Sequence, residues 1–204
     1  MMGFISMINK AKQYLGIGYD EKLKLMDYYN RKCYPYVAST RKYKIQPNDD
    51  WCAMFTTVMA NMCGLGAERF PYEVSVWYQA EWAKKRGLWF TDYTKAKPND
   101  LIVYDWKKGN RYNHVGFVVE VGRLSLKAIE GNKDKTVGYR TVNVNSSSIK
   151  GFIRVEYDDK PVDENERIAL QALRTISGRY GNGLERRKAL GVDFDAVQAL
   201  INKM

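Results

Sequence analysis

The stretch Asp50-Trp51-Cys52-Ala53-Met54-Phe55 puts a cysteine where a buried helix should begin. A thiol in a first helical turn meets the positive end of the helix dipole and backbone N–H groups with no intrahelical acceptor. Both favour the thiolate, the nucleophilic form of cysteine. Such a nucleophile needs a base within hydrogen-bonding reach, and the base needs a third group to orient it. His114 is the only histidine in the chain and so the candidate base. Glu130 and Asn132 follow it as a carboxylate and a carboxamide that can hold an imidazole. Glu130 is the better partner, because it both fixes the tautomer and stabilises the imidazolium.

These groups depend on one helix and two strands. The helix is expected over about Asp50 to Met62, with Met54, Phe55, Val58, Met59 and Met62 as its apolar stripe. Asn48, Asp49 or Asp50 can cap it, and Gly64 is a natural stop. His114 opens a strand in which Val115, Phe117, Val119 and Val121 should face the core, leaving His114, Gly116, Val118 and Glu120 on the other face. If residues 121–123 form the connection, His114 pairs directly with Glu130 on the next strand. A two-residue loop shifts the register by one and makes Glu130 a diagonal neighbour. Asn132 shares the face of Glu130 if the strand continues.

Elsewhere, Phe4, Ile5, Ile8, Ala11 and Leu15 recur at helical spacing, and further helices are expected over residues 20–29 and 72–90. Five strands follow, at about 101–104, 114–121, 124–130, 136–144 and 151–157. Helices followed by a run of strands, without βαβ alternation, indicate an α+β fold with an antiparallel sheet. Residues 1–157 form this domain, Asp158-Asp159-Lys160-Pro161 opens a linker over 158–163, and residues 164–204 form a small helical piece with turns around Gly178 to Gly183. The chain has 204 residues, a net charge of +10 and three cysteines. The charge points to a polyanionic partner or surface. The odd cysteine count argues against a disulfide framework, and Cys33 and Cys63 read as core thiols. The N-terminus lacks the continuous apolar run of a secretory signal, and no stretch approaches membrane-span length.

Trp51-Cys52-Ala53 with Phe55 on a helix, Asn113-His114-Val115-Gly116-Phe117 on a strand and Ile129-Glu130-Gly131-Asn132 at the end of the next resemble the CHAP amidase/endopeptidase family, papain-like and NlpC-related peptidoglycan hydrolases common in phage endolysins. The resemblance covers about residues 1–157. It implies a papain-like fold, with Cys52 as nucleophile, His114 as general base and acid, Glu130 as orienter and Asn132 as a fourth member. It also implies an oxyanion hole made by the Cys52 N–H and a second donor, for which Gln46 is a candidate. Some members bind calcium in an acidic loop ahead of the cysteine. Asp49, Asp50, Asp20 and Glu21 are present here without the D-x-D spacing, so no metal or other cofactor is expected. Trp51 and Tyr112 are expected at the rim of a substrate groove.

The tail, with Gly178, Tyr180, Gly181, Asn182, Gly183, Arg186, Leu190, Gly191, Phe194, Val197, Gln198 and Asn202, resembles the cell-wall-binding repeat of a pneumococcal phage lysozyme. This implies a three-helix bundle that binds muropeptides, with Arg186 and Gln198 as the polar candidates for ligand contact. A single copy implies weak binding unless the protein forms homo-oligomers and gains avidity. Taken together, these features lead us to expect a peptidoglycan hydrolase, cutting either the MurNAc–L-Ala bond or a peptide bond of the wall. Such an enzyme is held in the host cytoplasm until released to the wall, without membrane insertion. The rival readings are a non-catalytic wall-binding protein and a basic nucleic-acid-binding protein. The latter has the charge but no recognition motif.

Overall fold

A computed structural model describes residues 6–156 apart from 38, 40 and 110, together with 168, 171, 172, 175, 176 and 181–203. The expected start of the first helix at Phe4 and Ile5, the linker, and the turn residues Gly178 and Tyr180 lie outside the described residues. The chain divides into two compact units, Met1–Tyr157 and Asp158–Met204.

The first unit is α+β. Its helices are α1 (Met7–Lys12), α2 (Tyr19–Tyr28), α3 (Cys52–Met62) and α4 (Val76–Lys84). Its strands are β1 (Trp89–Phe90), β2 (Leu101–Tyr104), β3 (His114–Val121), β4 (Ser125–Lys133), β5 (Thr136–Asn143) and β6 (Ile149–Ile153). They form one antiparallel sheet in the order β1-β6-β2-β3-β4-β5. The helix expected over residues 72–90 is shorter, because Trp89 and Phe90 leave it to pair with Ile153 and Phe152 of β6 as a sixth strand.

Helix α3 is the centre of the core, and every residue from Cys52 to Asn61 is buried. One side packs on β3 and β4, and α1, α2 and α4 surround the rest. A helix enclosed on all sides must satisfy its polar side chains locally. Thr56 donates to the Ala53 carbonyl at 2.9 Å, Thr57 to the Glu73 carbonyl at 2.9 Å, and Asn61 to the Tyr72 hydroxyl at 2.7 Å. Among the described residues no side chain caps the helix. The residue before it is Trp51, and Asp49 and Asp50 are engaged elsewhere. At the other end Gly64 takes φ +87°, as its place after the helix requires.

The strand carrying His114 departs from simple alternation. Val115 and Phe117 join the helix-facing core, but Val118 and Val121 pack into a second apolar layer with Ile102, Leu126 and Phe152. A bulge between Val118 and Glu120 flips the remainder of the strand, so Val121 faces away from the helices, against the expectation. The same bulge sets the register at the site. Gly122 donates to Ser125 at 2.9 Å around a two-residue turn at Arg123 and Leu124. Beyond the bulge, Phe117 pairs with Ile129 and Val118 with Ala128. By the same step Gly116 lies opposite Glu130, and His114 lies diagonal to it rather than directly opposite.

In the second unit, α5 (Gly183–Leu190) and α6 (Phe194–Ile201) are joined by a tight turn, and residues 168, 171, 172, 175 and 176 are also helical. Ala172, Leu190 and Val197 form its core, flanked by Ile168, Phe194, Leu200 and Ile201.

Gly131 is where α3 and β4 come closest. A Cβ there would lie 2.5 Å from Phe55 Cβ and 2.6 Å from its Cγ. Gly131→Ala is therefore expected to lower stability by about 1–3 kcal/mol through overpacking, read as a fall in the urea midpoint; an unchanged midpoint would show that the helix gives way freely.

Candidate active site

His114, Glu130 and Cys52 converge where β3 begins beside the first turn of α3. The thiol side chain and the imidazole are within hydrogen-bonding reach of each other. His114 Nε2 lies 2.9 Å from Glu130 Oε2, which leaves Nδ1 as the nitrogen for Cys52. Cys52 is 3% exposed, His114 8% and Glu130 0%, so the set sits just under the surface. Burial alone would pull the His114 pKa down. The hydrogen bonds and negative charge supplied by Cys52 and Glu130 outweigh it and push it up to about 10. Burial works the other way on Glu130, but the imidazole and then Arg140 bring its carboxyl below the usual range.

Glu130 reaches His114 across Gly116. A Cβ on Gly116 would stand 2.5 Å from Glu130 Cγ and 2.9 Å from the Ile129 carbonyl oxygen. Only a residue without a side chain leaves the carboxylate this path to its diagonal neighbour. On the other flank, Asn113 closes the β2–β3 loop just before the imidazole. Its N–H donates to the Tyr104 carbonyl at 2.9 Å, its Nδ2 donates to Asp105 at 3.0 Å, and its Oδ1 accepts the Trp106 N–H at 3.1 Å. Gly116 and Asn113 both stand in the sequence stretch singled out for His114, but their roles depend on a diagonal register and a loop closure that spacing does not reveal.

Asn132 has a different partner from the one expected. It takes φ +58° and donates from Nδ2 to Asp50 Oδ1 at 2.8 Å, so its carboxamide ties the end of β4 to the segment ahead of Cys52. Trp51 does not sit at a groove rim. It is 1% exposed and packs edge-on to Phe55 at 6.1 Å, because the chain turns inward at the helix start. Gln46 is exposed and its carboxamide donates to the Lys44 carbonyl at 3.0 Å. Tyr112 is half-buried, stacked between Trp77 and Trp89 at 5.3 Å from each, with Lys84 Nζ 4.9 Å from its ring. Trp77 and Tyr78 open onto a groove of about 640 Å³ that Arg41, Ser75 and Arg111 also line. Trp106, after β2, is 38% exposed, stacked on Tyr104 at 4.7 Å and covered by the Arg140 guanidinium at 4.8 Å.

In the second unit, Arg186 and Gln198 belong to one polar cluster. Arg186 donates to Gln198 Oε1 at 3.3 Å, to Asn182 at 3.0 Å and to the Gly181 carbonyl at 3.1 Å. Gln198 donates in turn to Asn202 at 2.9 Å. Among the described residues no group of three or more His, Cys, Asp or Glu side chains is arranged to hold a metal ion. Asp49 accepts from Tyr43 and from the Gln46 N–H, and Asp50 accepts from Asn132. No described helix is long and apolar enough to cross a membrane.

Cys52 shares its surroundings with an imidazole, Cys33 is fully buried, and burial pushes the Cys63 thiol up to about 12. Iodoacetamide near neutral pH is therefore expected to alkylate Cys52 first in the native protein, as read by peptide mass spectrometry; equal labelling of Cys63 would contradict the assignment. For stability, the folded state binds the His114 proton more tightly than the unfolded chain, whose value is near 6.5. The contribution is complete below that pH and is lost as pH rises towards 10. The stability difference between the wild type and His114→Gln should accordingly shrink from pH 6 to pH 10 in urea titrations, and a difference that grows would refute the ion-pair account.

Residues 24–132, more than half of the chain, match the CHAP domain, and residues 172–204 match the CW_7 repeat. No curated protein matches the chain. The CHAP match points to a peptidoglycan amidase or peptidase, and the repeat points to cell-wall binding. The helix on an antiparallel sheet fits the papain-like fold of such domains. With a match that spans the thiol, the imidazole, the carboxylate and the carboxamide, the chain belongs to the CHAP family.

Proposed function

We propose that the protein is a cysteine-dependent peptidoglycan hydrolase of the phage endolysin type. The observation that carries this reading is the single imidazole held between a thiol and a fully buried carboxylate. Cys52 Sγ attacks the carbonyl carbon of a wall amide. The developing oxyanion is met by the Cys52 backbone N–H, left open because no side chain caps α3. As the tetrahedral intermediate collapses, the C–N bond breaks and the His114 imidazolium gives its Nδ1 proton to the leaving amine. His114, now neutral, takes a proton from water. The hydroxide attacks the thioester, and the thiolate leaves with the imidazolium restored. Glu130 accepts from Nε2 throughout, holding the tautomer and stabilising the charged ring.

In this reading the groove that Trp77 and Tyr78 help to line, with Tyr112 stacked against Trp77, offers substrate an aromatic surface. The cluster of Arg186, Gln198, Asn182 and Asn202 is the ligand-contacting face of the repeat in this reading. The protein acts on the wall after release from the host cytoplasm. With one repeat matched, self-association supplies the avidity that a tandem array provides elsewhere. Catalysis uses no metal, since the nucleophile and its base are side chains.

Cys52→Ala is expected to abolish release of soluble fragments from purified cell walls, a loss of at least about a thousandfold, with the fold intact by circular dichroism. Full lytic activity in that variant would overturn the proposal. Mass spectrometry of the wild-type digest identifies the bond: a new L-Ala amino terminus and an intact MurNAc mark an amidase, and a new terminus within the peptide marks an endopeptidase.

A further inference from the structure

One charged group at the site has no place in the mechanism above. Arg140 stands on β5, opposite Ala128 of β4. Its Nε donates to Glu130 Oε2 at 2.7 Å, the same oxygen that lies 2.9 Å from His114 Nε2. Its guanidinium lies over the Trp106 ring at 4.8 Å, and its side chain is 28% exposed. We propose that Arg140 is a positioning residue that acts through Glu130, holding the carboxylate ionised and aimed at His114 without touching substrate.

Glu130 has no exposure at all, and an ionised carboxylate removed from water is strongly disfavoured unless it is paired. His114 alone is an intermittent partner, because in the catalytic cycle it gives up its proton. At that moment Glu130 would be a buried anion beside a neutral ring. A guanidinium stays charged at every working pH, so Arg140 supplies a constant counter-charge through the step in which the imidazole is neutral. The geometry separates the two duties of Oε2. The imidazole approaches from β3 and the guanidinium from β5, so Arg140 leaves the His114 bond in place.

The other groups facing Glu130 do not substitute for it. From β2, the Tyr104 hydroxyl is buried beside the carboxylate, close enough to donate to it, but a phenol O–H supplies no positive charge. Burial, then the negative charge of Glu130 and the hydrogen bond to it, raise the Tyr104 pKa well above its usual value, so it remains a neutral phenol. From α3, Cys52 bears on Glu130 through His114 and adds negative charge, not positive. Asp134, in the β4–β5 turn, feels Arg140 but is highly exposed. The Trp106 ring, 4.8 Å from the guanidinium, helps hold it in place. Neither partner of this arrangement is adjacent in sequence, and Arg140 belongs to a strand that carries no recognised catalytic position.

The inference rests on the cysteine-hydrolase reading, and one series on the full-length protein separates the two. The pH profiles of kcat and KM for wall hydrolysis are measured for the wild type, Arg140→Gln, Arg140→Lys and Cys52→Ala. Arg140→Gln is expected to lower kcat on the order of tenfold near neutrality with KM unchanged. It should raise the acid limb by about one pH unit, because Glu130 protonates sooner, and leave the alkaline limb in place. Arg140→Lys should recover most of the activity and part of the shift. His114 is the only histidine, so its Nε2 proton gives a single downfield NMR signal with no substrate present. On acidification that signal should disappear about one pH unit earlier in Arg140→Gln. Should Arg140→Gln not fold, Arg140→Lys carries the same test with a smaller shift in the same direction. Unmoved acid limbs and NMR midpoints overturn the inference, as does a rise in KM at constant kcat, which would mean direct contact with substrate. An active Cys52→Ala defeats the hydrolase reading instead; an inactive one beside an unshifted Arg140→Gln defeats this inference alone.

Discussion

The buried carboxylate of Glu130 is the constraint around which the first unit is arranged. A charge with no exposure needs partners fixed before any ligand arrives, and here they come from the two neighbouring strands. His114 approaches from β3 and Arg140 from β5, so β4 must lie between them in a defined register. One residue of slip would turn Glu130 to the other face of the sheet and leave both cations without it. The bulge in β3 and the two-residue turn at Arg123 and Leu124 together set that register. The requirement of the charge thus reaches back into features of the hairpin that lie well away from the thiol.

Much of this was legible in the sequence because it follows from local rules. Apolar spacing located α3, its stop at Gly64, and the strands β2, β3, β4 and β5 to within a few residues. The single histidine made the candidate base easy to name. The rest was hidden because it depends on non-local geometry. A bulge leaves no mark in an alternating apolar pattern, so alternation puts Val118 on its proper face, but the face of Val121, beyond the bulge, and the exact pairing of His114 could not be read. A two-residue edge strand such as β1 is too short to have a period. Arg140 looked like any other basic residue in a chain with a net charge of +10, and only the pairing of β5 with β4 distinguishes it.

Burial also reorders the aromatic residues. Trp51, next to the nucleophile in sequence, is driven into the core, where it packs edge-on to Phe55. The aromatic surfaces near the site come instead from loops and from α4: Trp106 after β2, Tyr112 before β3, and Trp77. Adjacency in sequence is a poor guide to adjacency at a cleft when the intervening element runs inward.

The three residues at the end of β4 show how one short segment sets the distance between nucleophile and base. Glu130 grips the imidazole, Gly131 lets Phe55 of α3 rest against the strand, and Asn132 turns through a left-handed conformation to hold Asp50, two residues ahead of Cys52. The thiol is therefore braced on both sides, by a van der Waals contact one turn into its helix and by a hydrogen bond just before it. Both braces start from the strand that orients the base. Cys52 and His114 are thus both positioned against the same strand. This arrangement gives Asn132 a physical purpose of its own: a carboxamide at that position serves the pair by fixing the segment before the nucleophile, while the carboxylate two residues earlier fixes the base.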